Sequence, residues 1–401
     1  MSRIFLHVIF ALVVASSALG VSVGVRSHGA KGDGETSDTV AIQSAIDACA
    51  AAGGGQVLFP AGRYLSGSLH LKSRVTLVIT PEATLLGSTS VEDFRAGPLI
   101  LAKDAENVGI EGGGTIDGQG TAYWEPRSTK FSGPSWAGTA QFEYRALKRP
   151  SFIRFQRCHK VNVSGVRLIN SPSWTVHLLR CSGATVERVT IRNPLYGPNT
   201  DGIDINSCTD VLVSDCDIIT GDDGIVLKST EPGHDHPSRN IIVTGCRVWS
   251  ACNCFKIGTE THDHFDGVLV TNCHFYSDSA VSLERAISGI AIESVDGAHL
   301  SNILVTDVTM EGVRTPIFVR LGHRGGNSAR TQQVEPRVPG RIDGVIIRNV
   351  TAKRALFESS ITGIPGHRVQ NIALDNVDLE YEGGGSAGWV SDLVPDEEVI
   401  R

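Results

Sequence analysis

The sequence contains few aromatic residues and no long run of basic residues. Aromatic residues make up 6% of its 401 positions, glycine is abundant at 44 residues, and the formal net charge is −7. A chain with this charge and no basic cluster is not expected to bind nucleic acid or an anionic membrane surface. Beyond its first 20 residues, no stretch is long and apolar enough to cross a bilayer.

Residues 1–20 have the layout of a secretory signal peptide. Arg3 precedes an apolar run from Ile4 to Ala15 that only His7 interrupts, and small residues follow at 16–20. A membrane anchor is the alternative, but the run is shorter than the ~20 residues that a span requires. We therefore expect a secreted protein, extracellular or periplasmic, whose mature domain covers residues 21–401.

The mature chain is long for one ordinary core. Removal of the leader leaves about 380 residues, which is typical of repeat architectures that grow along one axis. The first element predicted is an amphipathic helix, which Ser37 or Asp38 can cap and which ends before the glycines at 53–55. Its apolar residues lie on one side: Val40, Ile42, Ala45, Ile46 and Cys49. We expect this helix to cap one end of the fold.

A β-type pattern recurs along most of the chain and is its strongest structural signal. It has the form aliphatic, x, aliphatic, x, x, small apolar, x, aliphatic. It fits the segments that begin at Val161, Ala184, Val211, Ile241, Val268, Ile303, Val345 and Ile372. A helical solenoid would show a 3.6-residue periodicity instead, so the repeat predicts a parallel β-helix.

A second strand is visible in several of these units. It reads GIDIN from 202, GIVLK from 224, CFKIG from 254, GIAIE from 289 and PIFVR from 316. In a β-helix each coil lays its strands on those of the previous coil at about 4.8 Å. The predicted fold class is therefore all-β.

The nine cysteines are an odd number, and six of them fall into two columns of this framework. Three share one pattern position and three others each stand three residues before a repeat: Cys216, Cys246 and Cys273, and Cys158, Cys181 and Cys208. A metal or redox centre would need clustered thiols with further ligands nearby. We favour free thiols that pack as small buried hydrophobes, with inter-coil disulfides as the alternative.

Three carboxylates lie at the starts of two similar segments about one repeat apart. When the second strands are aligned on their glycine, the preceding residues are Asp201, Asp223, Asn253 and Ser288, and Asp222 adjoins Asp223. Neighbouring coils would hold these acids within about 5–10 Å of one another, the separation at which inverting glycosidases place an acid and a base. Each aspartate could instead cap a turn, but three in register favour acid–base chemistry.

Two other groups of residues could serve a site. The polar segment at 121–148 is long enough to be a functional insertion, and its Trp124 and Trp136 are candidates for stacking on a sugar. Trp174 and His177 are ambiguous between core packing and such stacking. The pairs His234 and His236, and His262 and His264, have a spacing that could bind metal, but no third and fourth ligand is defined.

The sequence resembles glycoside hydrolase family 28, the polygalacturonase family of pectin-degrading enzymes, from about Gly29 to Tyr381. The matching motifs are GAKGDG at 29–34, GGGTIDGQG at 112–120, NSPSW at 170–174, NTDGIDI at 199–205 and GDD at 221–223. The resemblance implies a single-stranded right-handed parallel β-helix and hydrolysis with inversion. By this resemblance we expect Asp222 to be the general acid, and Asp201 and Asp223 to position and deprotonate the attacking water. It implies no metal and no cofactor.

Two departures from the family pattern concern the substrate. Asn253 stands where the family's GHG histidine is expected, and Ala291 and Glu293 replace the two cations of its RIK triplet, which hold a uronate carboxylate. Binding of galacturonate in that subsite should weaken unless other cations substitute. Lys228, Lys256, Arg285 and Arg320 are available, and Lys256 and Arg320 are the preferred candidates. The predicted substrate-binding residues are Asn199, Lys228, Asn253, Lys256 and Arg320.

These observations favour a β-helical hydrolase of a pectic polysaccharide, which we expect to be a monomer. Within that class, a rhamnogalacturonan or a pectic oligosaccharide cut from its end is a competing substrate, and the segment at 121–148 could decide between endo and exo action. A calcium-dependent polysaccharide lyase on the same scaffold is an alternative, in which the three aspartates bind Ca²⁺. A non-catalytic glycan-binding β-helix is a third hypothesis.

Overall fold

The computed structural model describes residues 20–127, 144–231, 235–282, 284–323 and 338–382, together with the backbone of 399–400. The predicted signal peptide up to residue 19, Trp136 and His234 lie outside the described residues. Helix α1 spans Thr39–Ala51, and 3₁₀ turns span Val25–His28, Val91–Phe94 and Gly120–Tyr123. Among the described residues, no helix is both long and apolar enough to cross a membrane.

The remaining elements are strands. The first of them are β1 (Val21–Gly24), β2 (Asp33–Ser37), β3 (Gly55–Phe59), β4 (Gly62–Ser66), β5 (Leu69–Leu71), β6 (Val75–Ile79), β7 (Ala83–Gly87), β8 (Ile100–Lys103), β9 (Glu106–Gly112), β10 (Thr115–Asp117), β11 (Trp124–Pro126) and β12 (Tyr144–Ala146). The next are β13 (Ile153–Gln156), β14 (His159–Ser164), β15 (Arg167–Ile169), β16 (Val176–Leu179), β17 (Ser182–Glu187), β18 (Thr190–Arg192), β19 (Ile203–Asn206), β20 (Thr209–Ser214), β21 (Asp217–Thr220), β22 (Ile225–Ser229) and β23 (Ser238–Thr244). The last are β24 (Arg247–Ser250), β25 (Asn253–Thr261), β26 (Phe265–Thr271), β27 (His274–Tyr276), β28 (Ser288–Ser294), β29 (His299–Glu311), β30 (Thr315–Leu321), β31 (Arg341–Ala355), β32 (Ser360–Thr362), β33 (Gln370–Tyr381) and β34 (Val399–Ile400).

Parallel pairing between successive coils confirms the predicted β-helix. In one large sheet Val161 pairs with Ala184, Ala184 with Val211, and Val211 with Ile241. The same register continues through Val268, Ile303, Val345 and Ile372. Every repeat start identified in the sequence thus belongs to one ladder.

A second, 11-stranded sheet carries the other predicted strands, in the order β5, β8, β13, β16, β19, β22, β25, β28, β30, β32 and β34. Ile203, Ile225 and Phe255 pair in register within it, and the ladder continues to Ile290 and Ile317. These side chains point inward and are at most 1% exposed. Because strand residues alternate between faces, the residues between them point outward in equally regular columns.

The aliphatic columns form one continuous core along the axis of the β-helix. Burial of a Val, Leu, Ile or Phe side chain is worth about 1.5–3 kcal/mol. Each coil therefore stabilises itself chiefly against its two neighbours, as in other solenoids. This arrangement leaves the outward columns free to carry polar groups.

Helix α1 packs on the first coils as predicted, with two differences in detail. Ile42, Ala45, Ile46 and Cys49 are fully buried. Val40, which the pattern placed on the same side, is 83% exposed. Asp38 occupies the N-cap position, but its carboxylate accepts hydrogen bonds from the backbone of the preceding loop, at residues 31 and 32, rather than from the helix.

The cysteines lie where the repeat framework placed them. Eight are buried, Cys252 is half-buried, and all nine are free thiols in the structure. The backbone N–H of Cys181 donates to Sγ of Cys208 at 3.3 Å, and the Cys181 thiol donates to the carbonyl of Phe155 at 3.3 Å. The thiols thus act as small core residues that satisfy backbone carbonyls.

Candidate active site

A cleft of about 630 Å³ lies over the outer face of the 11-stranded sheet. It crosses the coils that contain β13, β16, β19, β22 and β25. Its lining residues are Arg149, Pro150, Ser151, Arg154, Ser173, Trp174, His177, Leu179, Asn199, Asp201, Asp222, Asp223, Lys228, Thr230, Lys256, Thr259 and Glu260. The three predicted catalytic aspartates therefore meet in one concave, polar site.

Asp201 and Asp223 stand at the same position of successive coils, each separated by one glycine from β19 and β22, respectively. The backbone N–H of Gly202 donates to the carbonyl of Asp223 at 2.8 Å, and that of Gly224 donates to the carbonyl of Asn253 at 2.7 Å. A Cβ on Gly202 would collide with the Gly224 carbonyl oxygen. The coils thus pack so closely that the residue after each acid has to be glycine.

The predicted column of Asp223, Asn253 and Ser288 is a chain of hydrogen bonds. Asn253 Nδ2 donates to Asp223 Oδ1 at 2.6 Å, and Ser288 Oγ donates to Asn253 Oδ1 at 2.6 Å. Asn253 is 6% exposed and does not line the cleft. Its contacts are those of a residue that orients Asp223, and its assignment to substrate binding stays a prediction.

The half-buried Asp222 lies beside Asp223. One carboxylate oxygen of each, and the sulfur of Cys252, all lie within 4.8 Å of one another. Asn199, which is exposed, donates from Nδ2 to Asp222 Oδ2 at 3.3 Å and accepts a hydrogen bond from Arg149 Nη2 at 2.9 Å. Asn199 therefore joins the acid to the rim of the cleft.

Lys228 neutralises much of the acidic cluster. Its ammonium lies 3.2 Å from Asp201, 3.9 Å from Asp204, 3.9 Å from Asp223 and 3.7 Å from Glu260. It also lies 4.8 Å from the ring centre of Trp174, within cation–π range. No partner of the aspartates was evident from the sequence, whereas the folded chain supplies a lysine that is only 6% exposed.

Lys256 is the second cation of the cluster. Its ammonium lies 3.5 Å from Asp223 and 3.6 Å from Glu293, and its backbone pairs with Ala291 on the next coil. Lys256 thus stands one coil before the positions of the missing RIK cations. Its charge is shared with two carboxylates, and its assignment to substrate binding stays a prediction.

The pKa values of Asp222 and Asp223 shift in opposite directions. Burial and then the charges of Asp201 and Asp223 raise the pKa of Asp222 to about 8. Burial also acts to raise the pKa of Asp223, but Lys256, Lys228 and a hydrogen bond from Asn253 together lower it below its usual value. Burial raises the pKa of Asp201, against the opposing charge of Lys228. The site can therefore hold one carboxyl group protonated beside one that is ionised.

Asp204 is a functional candidate that the sequence reasoning missed, although it lies within the NTDGIDI motif. It is fully buried, and neither carboxylate oxygen has a hydrogen-bond partner among the described residues. Burial, followed by the charge of Asp201, raises its pKa well above the usual value. An acidic residue at an outward position between Ile203 and Ile205 was the signal that could have revealed it.

Arg149 and Arg154 were also missed, and both line the cleft. Arg154 lies on β13 in the outward column of His177 and Asp204, since Arg154 pairs with His177 and His177 with Asp204. Extending the second-strand alignment toward the N-terminus would have found it. Trp174 and His177, which the sequence left ambiguous, line the same cleft, with their rings 4.8 Å apart.

Four other candidate residues lie elsewhere. Arg320 is on β30, with its backbone paired to Glu293, and it is not among the cleft residues, so its role in binding stays a prediction. Trp124 is 7% exposed and donates to the carbonyl of Pro172 at 3.1 Å, so it packs inside the fold rather than facing the cleft. His262 and His264 belong to no group of three possible metal ligands within the part of the chain that the structure describes.

Comparisons with known proteins agree with this geometry. A family model for glycosyl hydrolases family 28 matches residues 49–394. A relative named "Probable polygalacturonase" from Vitis vinifera is 28% identical over 393 residues, which cover 91% of this chain and 75% of the relative. The "Exopolygalacturonase" of Zea mays is 26% identical and covers 96% of this chain and 92% of its own.

The fold is also that of solved structures with related names. The crystal structure of an exopolygalacturonase from Thermotoga maritima superimposes with a TM-score of 0.70 and 24% identity, covering 90% of this chain and 88% of that one. At this identity the likeness concerns the fold alone. The family model, which matches most of the chain, shows more: the protein belongs to glycosyl hydrolases family 28 and is an O-glycosyl hydrolase.

Proposed function

We propose that the protein hydrolyses glycosidic bonds of a pectic polysaccharide outside the cell, after removal of residues 1–20. Both relatives described above carry the name polygalacturonase. The acidic cluster, the polar cleft and the cleft-lining Trp174 fit a carbohydrate substrate. The single observation that carries the proposal is the juxtaposition of Asp222 and Asp223, two neighbouring carboxyl groups with opposite pKa shifts.

In the proposed mechanism, protonated Asp222 donates its proton to the leaving glycosidic oxygen. Ionised Asp223 takes a proton from a water molecule, which Asp201 helps to position, and the water attacks the anomeric carbon from the opposite face. The C–O bond to the leaving sugar breaks as the bond to water forms, so the configuration inverts. The raised pKa of Asp222 keeps the acid loaded at neutral pH.

The contacts of the two lysines argue against a calcium-dependent lyase. Ca²⁺ prefers several carboxylate and carbonyl oxygens that are available to it. The carboxylate of Asp201 already lies 3.2 Å from the ammonium of Lys228, and that of Asp223 lies 3.5 Å from the ammonium of Lys256. A divalent cation in this cluster would be repelled by both Lys228 and Lys256.

Product analysis tests the proposed function. The purified protein would be incubated with polygalacturonate, a rhamnogalacturonan and a neutral glycan, with and without EDTA, beside Asp222→Asn. Release of saturated sugars that is unaffected by EDTA and lost in the variant is the expected result. An unsaturated product that requires calcium would establish the lyase instead, and the absence of any turnover would leave a glycan-binding β-helix.

A further inference from the structure

The cations of the cleft differ in whether they have a carboxylate partner. Lys228 and Lys256 lie among Asp201, Asp223 and neighbouring acids, as the distances above show. Arg154 lies at the opposite end, on β13, and Arg149 reaches from the residues before that strand to Asn199, a partner of Asp222. Four coils separate the strand of Arg154 from that of Lys256, which corresponds to about 19 Å along the axis.

The arginine end presents positive charge that no carboxylate contacts directly, while Asp201 and Asp222 act on Arg149, and Asp204 on Arg154, from a longer distance. Arg149 donates to the carbonyl groups of Pro172 at 2.9 Å and Pro198 at 2.5 Å, in addition to Asn199. Arg154 donates from Nε to His177 Nδ1 and from Nη2 to Ser151 Oγ, each at 3.2 Å. These partners are all neutral. Among the described residues, neither guanidinium has a carboxylate oxygen within ion-pair distance.

Two cations in this environment can bind an anionic ligand. Burial lowers the pKa of both guanidinium groups, because water has been partly removed from around them. A desolvated charge that no anion contacts directly is unfavourable, and a ligand that supplies this contact recovers part of the free energy. Guanidinium groups pair with carboxylates through two parallel hydrogen bonds, and Arg154 Nη1 has no partner among the described residues.

The lysine end has the opposite character. Lys256 is shared between Asp223 and Glu293, and Lys228 lies among Asp201, Asp204, Asp223 and Glu260. Glu260 itself lines the cleft there. A second carboxylate on the substrate would meet these acids at short range and would be repelled. A sugar with hydroxyl groups alone meets no such penalty.

We propose that Arg149 and Arg154 bind the carboxylate of a uronate sugar, and that the sugar bound at the Lys256 end carries no charge. The substrate class is a pectic glycan in which a uronate is linked to a neutral sugar, rather than a chain of uronates only. This inference rests on the proposed function and narrows its substrate. It assigns specificity to two residues that lie outside the acid–base group.

Substrate comparison on the wild-type enzyme is the first test. The substrates are an oligosaccharide of galacturonate only, one that alternates galacturonate with a neutral sugar, and the alternating one with its carboxyl groups reduced to alcohols. We expect kcat/KM to be highest on the alternating acidic substrate by at least tenfold. Highest kcat/KM on the uniform galacturonate substrate would overturn the inference.

Arg154→Gln tests the anion contact itself. We expect kcat/KM on the alternating acidic substrate to fall about 10- to 100-fold, mainly through KM, as for the loss of a charge-assisted hydrogen bond. The loss on the carboxyl-reduced substrate should be much smaller, because that substrate offers Arg154 no carboxylate. Equal losses on both substrates, or no loss on the acidic one, would overturn the assignment. Thermal unfolding of the variant separates a folding defect from a binding defect.

Arg157→Gln is the matched control, because Arg157 follows the same strand but is exposed and paired with Asp104 at 2.6 Å outside the cleft. The reciprocal variant is Glu293→Gln, which removes the negative charge of one partner of Lys256. This variant should raise kcat/KM on uniform galacturonate severalfold. If the wild type hydrolyses none of the three glycans, the proposed function is refuted. Hydrolysis with no dependence on Arg154 would refute only this inference.

Discussion

The side-chain amide of Asn253 donates a hydrogen bond of 2.6 Å to Oδ1 of Asp223. A hydrogen bond to the ionised form of a carboxyl group lowers its pKa. Burial of Asp223 has the opposite effect, and Lys256, Lys228 and Asn253 together overcome it. The ionisation of the proposed base thus depends on a residue of the next coil.

Asn253→Ala is expected to raise the pKa of Asp223 and to move the acid limb of the kcat profile to higher pH. A hydrogen bond to a charged group is worth about 1.5–3 kcal/mol, which corresponds to a shift of about 1–2 pH units. Measurement of kcat between about pH 3 and about pH 7 checks this. Ser288→Ala, which removes only the support of Asn253, should move the limb in the same direction by less. An acid limb that does not move would mean that Asp223 is not the base.

We expect Asp222, the proposed general acid, to set the alkaline limit of activity. Its pKa is raised to about 8, and a general acid must carry its proton, so kcat should fall as the pH rises through about 8. Asp222→Asn cannot donate a proton and should lose about 10²- to 10⁴-fold in kcat on a polysaccharide. A nitrophenyl glycoside, whose leaving group needs little protonation, is the control and should lose far less. Similar losses on both substrates would remove Asp222 from the role of acid.

The fold could be predicted from the sequence because its determinants are local. An inward aliphatic residue at every second position is visible in each strand, and the glycine after Asp201 and Asp223 marks where coils approach closely. Val40 shows the limit of such patterns, since it fits the apolar side of the helix but faces solvent. Helical spacing alone does not reveal which side chains the neighbouring strands cover.

The ion pairs of the site could not be predicted in the same way. They depend on how far Lys228 and Lys256 reach across coils, and a lysine on a strand is more often a solvated surface residue. Arg149 follows the polar segment at 121–148, whose sequence carries no repeat pattern, so no repeat register could assign it to a coil. The column of Asp201, Asp223, Asn253 and Ser288 was predictable because its register is periodic, whereas its electrostatic surroundings are not.

Asp204→Asn tests whether the buried carboxyl group of Asp204 is protonated in the folded protein. Burial raises the pKa of Asp204 well above its ordinary value of 3.8. The stabilising effect of the protonated carboxyl group is therefore fully present below its ordinary pKa, and it is lost as the pH rises toward the pKa of the folded state. The amide does not titrate, so the variant should gain stability over the wild type by up to about 1.4 kcal/mol per pH unit in this window.

Denaturant unfolding of both proteins between about pH 4 and about pH 8 checks this prediction. The difference in the free energy of unfolding should grow with pH in favour of the variant. A loss of several kcal/mol at every pH would instead mean that Asp204 is ionised and serves as a required partner of Lys228. Circular dichroism in the absence of denaturant confirms that both chains are folded at the start.

Lys228→Met tests the cation that holds the acids together. The substitution leaves Asp201, Asp223 and Glu260 near one another without the ammonium that now lies within 4 Å of each. Removal of one partner from a buried ion pair costs about 3–5 kcal/mol, so we expect a loss of that size in the free energy of unfolding near pH 7. The loss should shrink as the pH falls and the carboxylates become protonated.

Lys72→Met is the matched control for this prediction, since Lys72 is paired with Asp47 at 3.9 Å but its side chain is 51% exposed. A surface pair of this kind contributes about 0–1 kcal/mol, so the control should unfold nearly as the wild type does. Equal effects of the two substitutions would show that Lys228 is not required to neutralise the cluster. A large loss confined to Lys228→Met, and relieved at low pH, would establish that the proposed acid and base can lie side by side because a buried lysine offsets their repulsion.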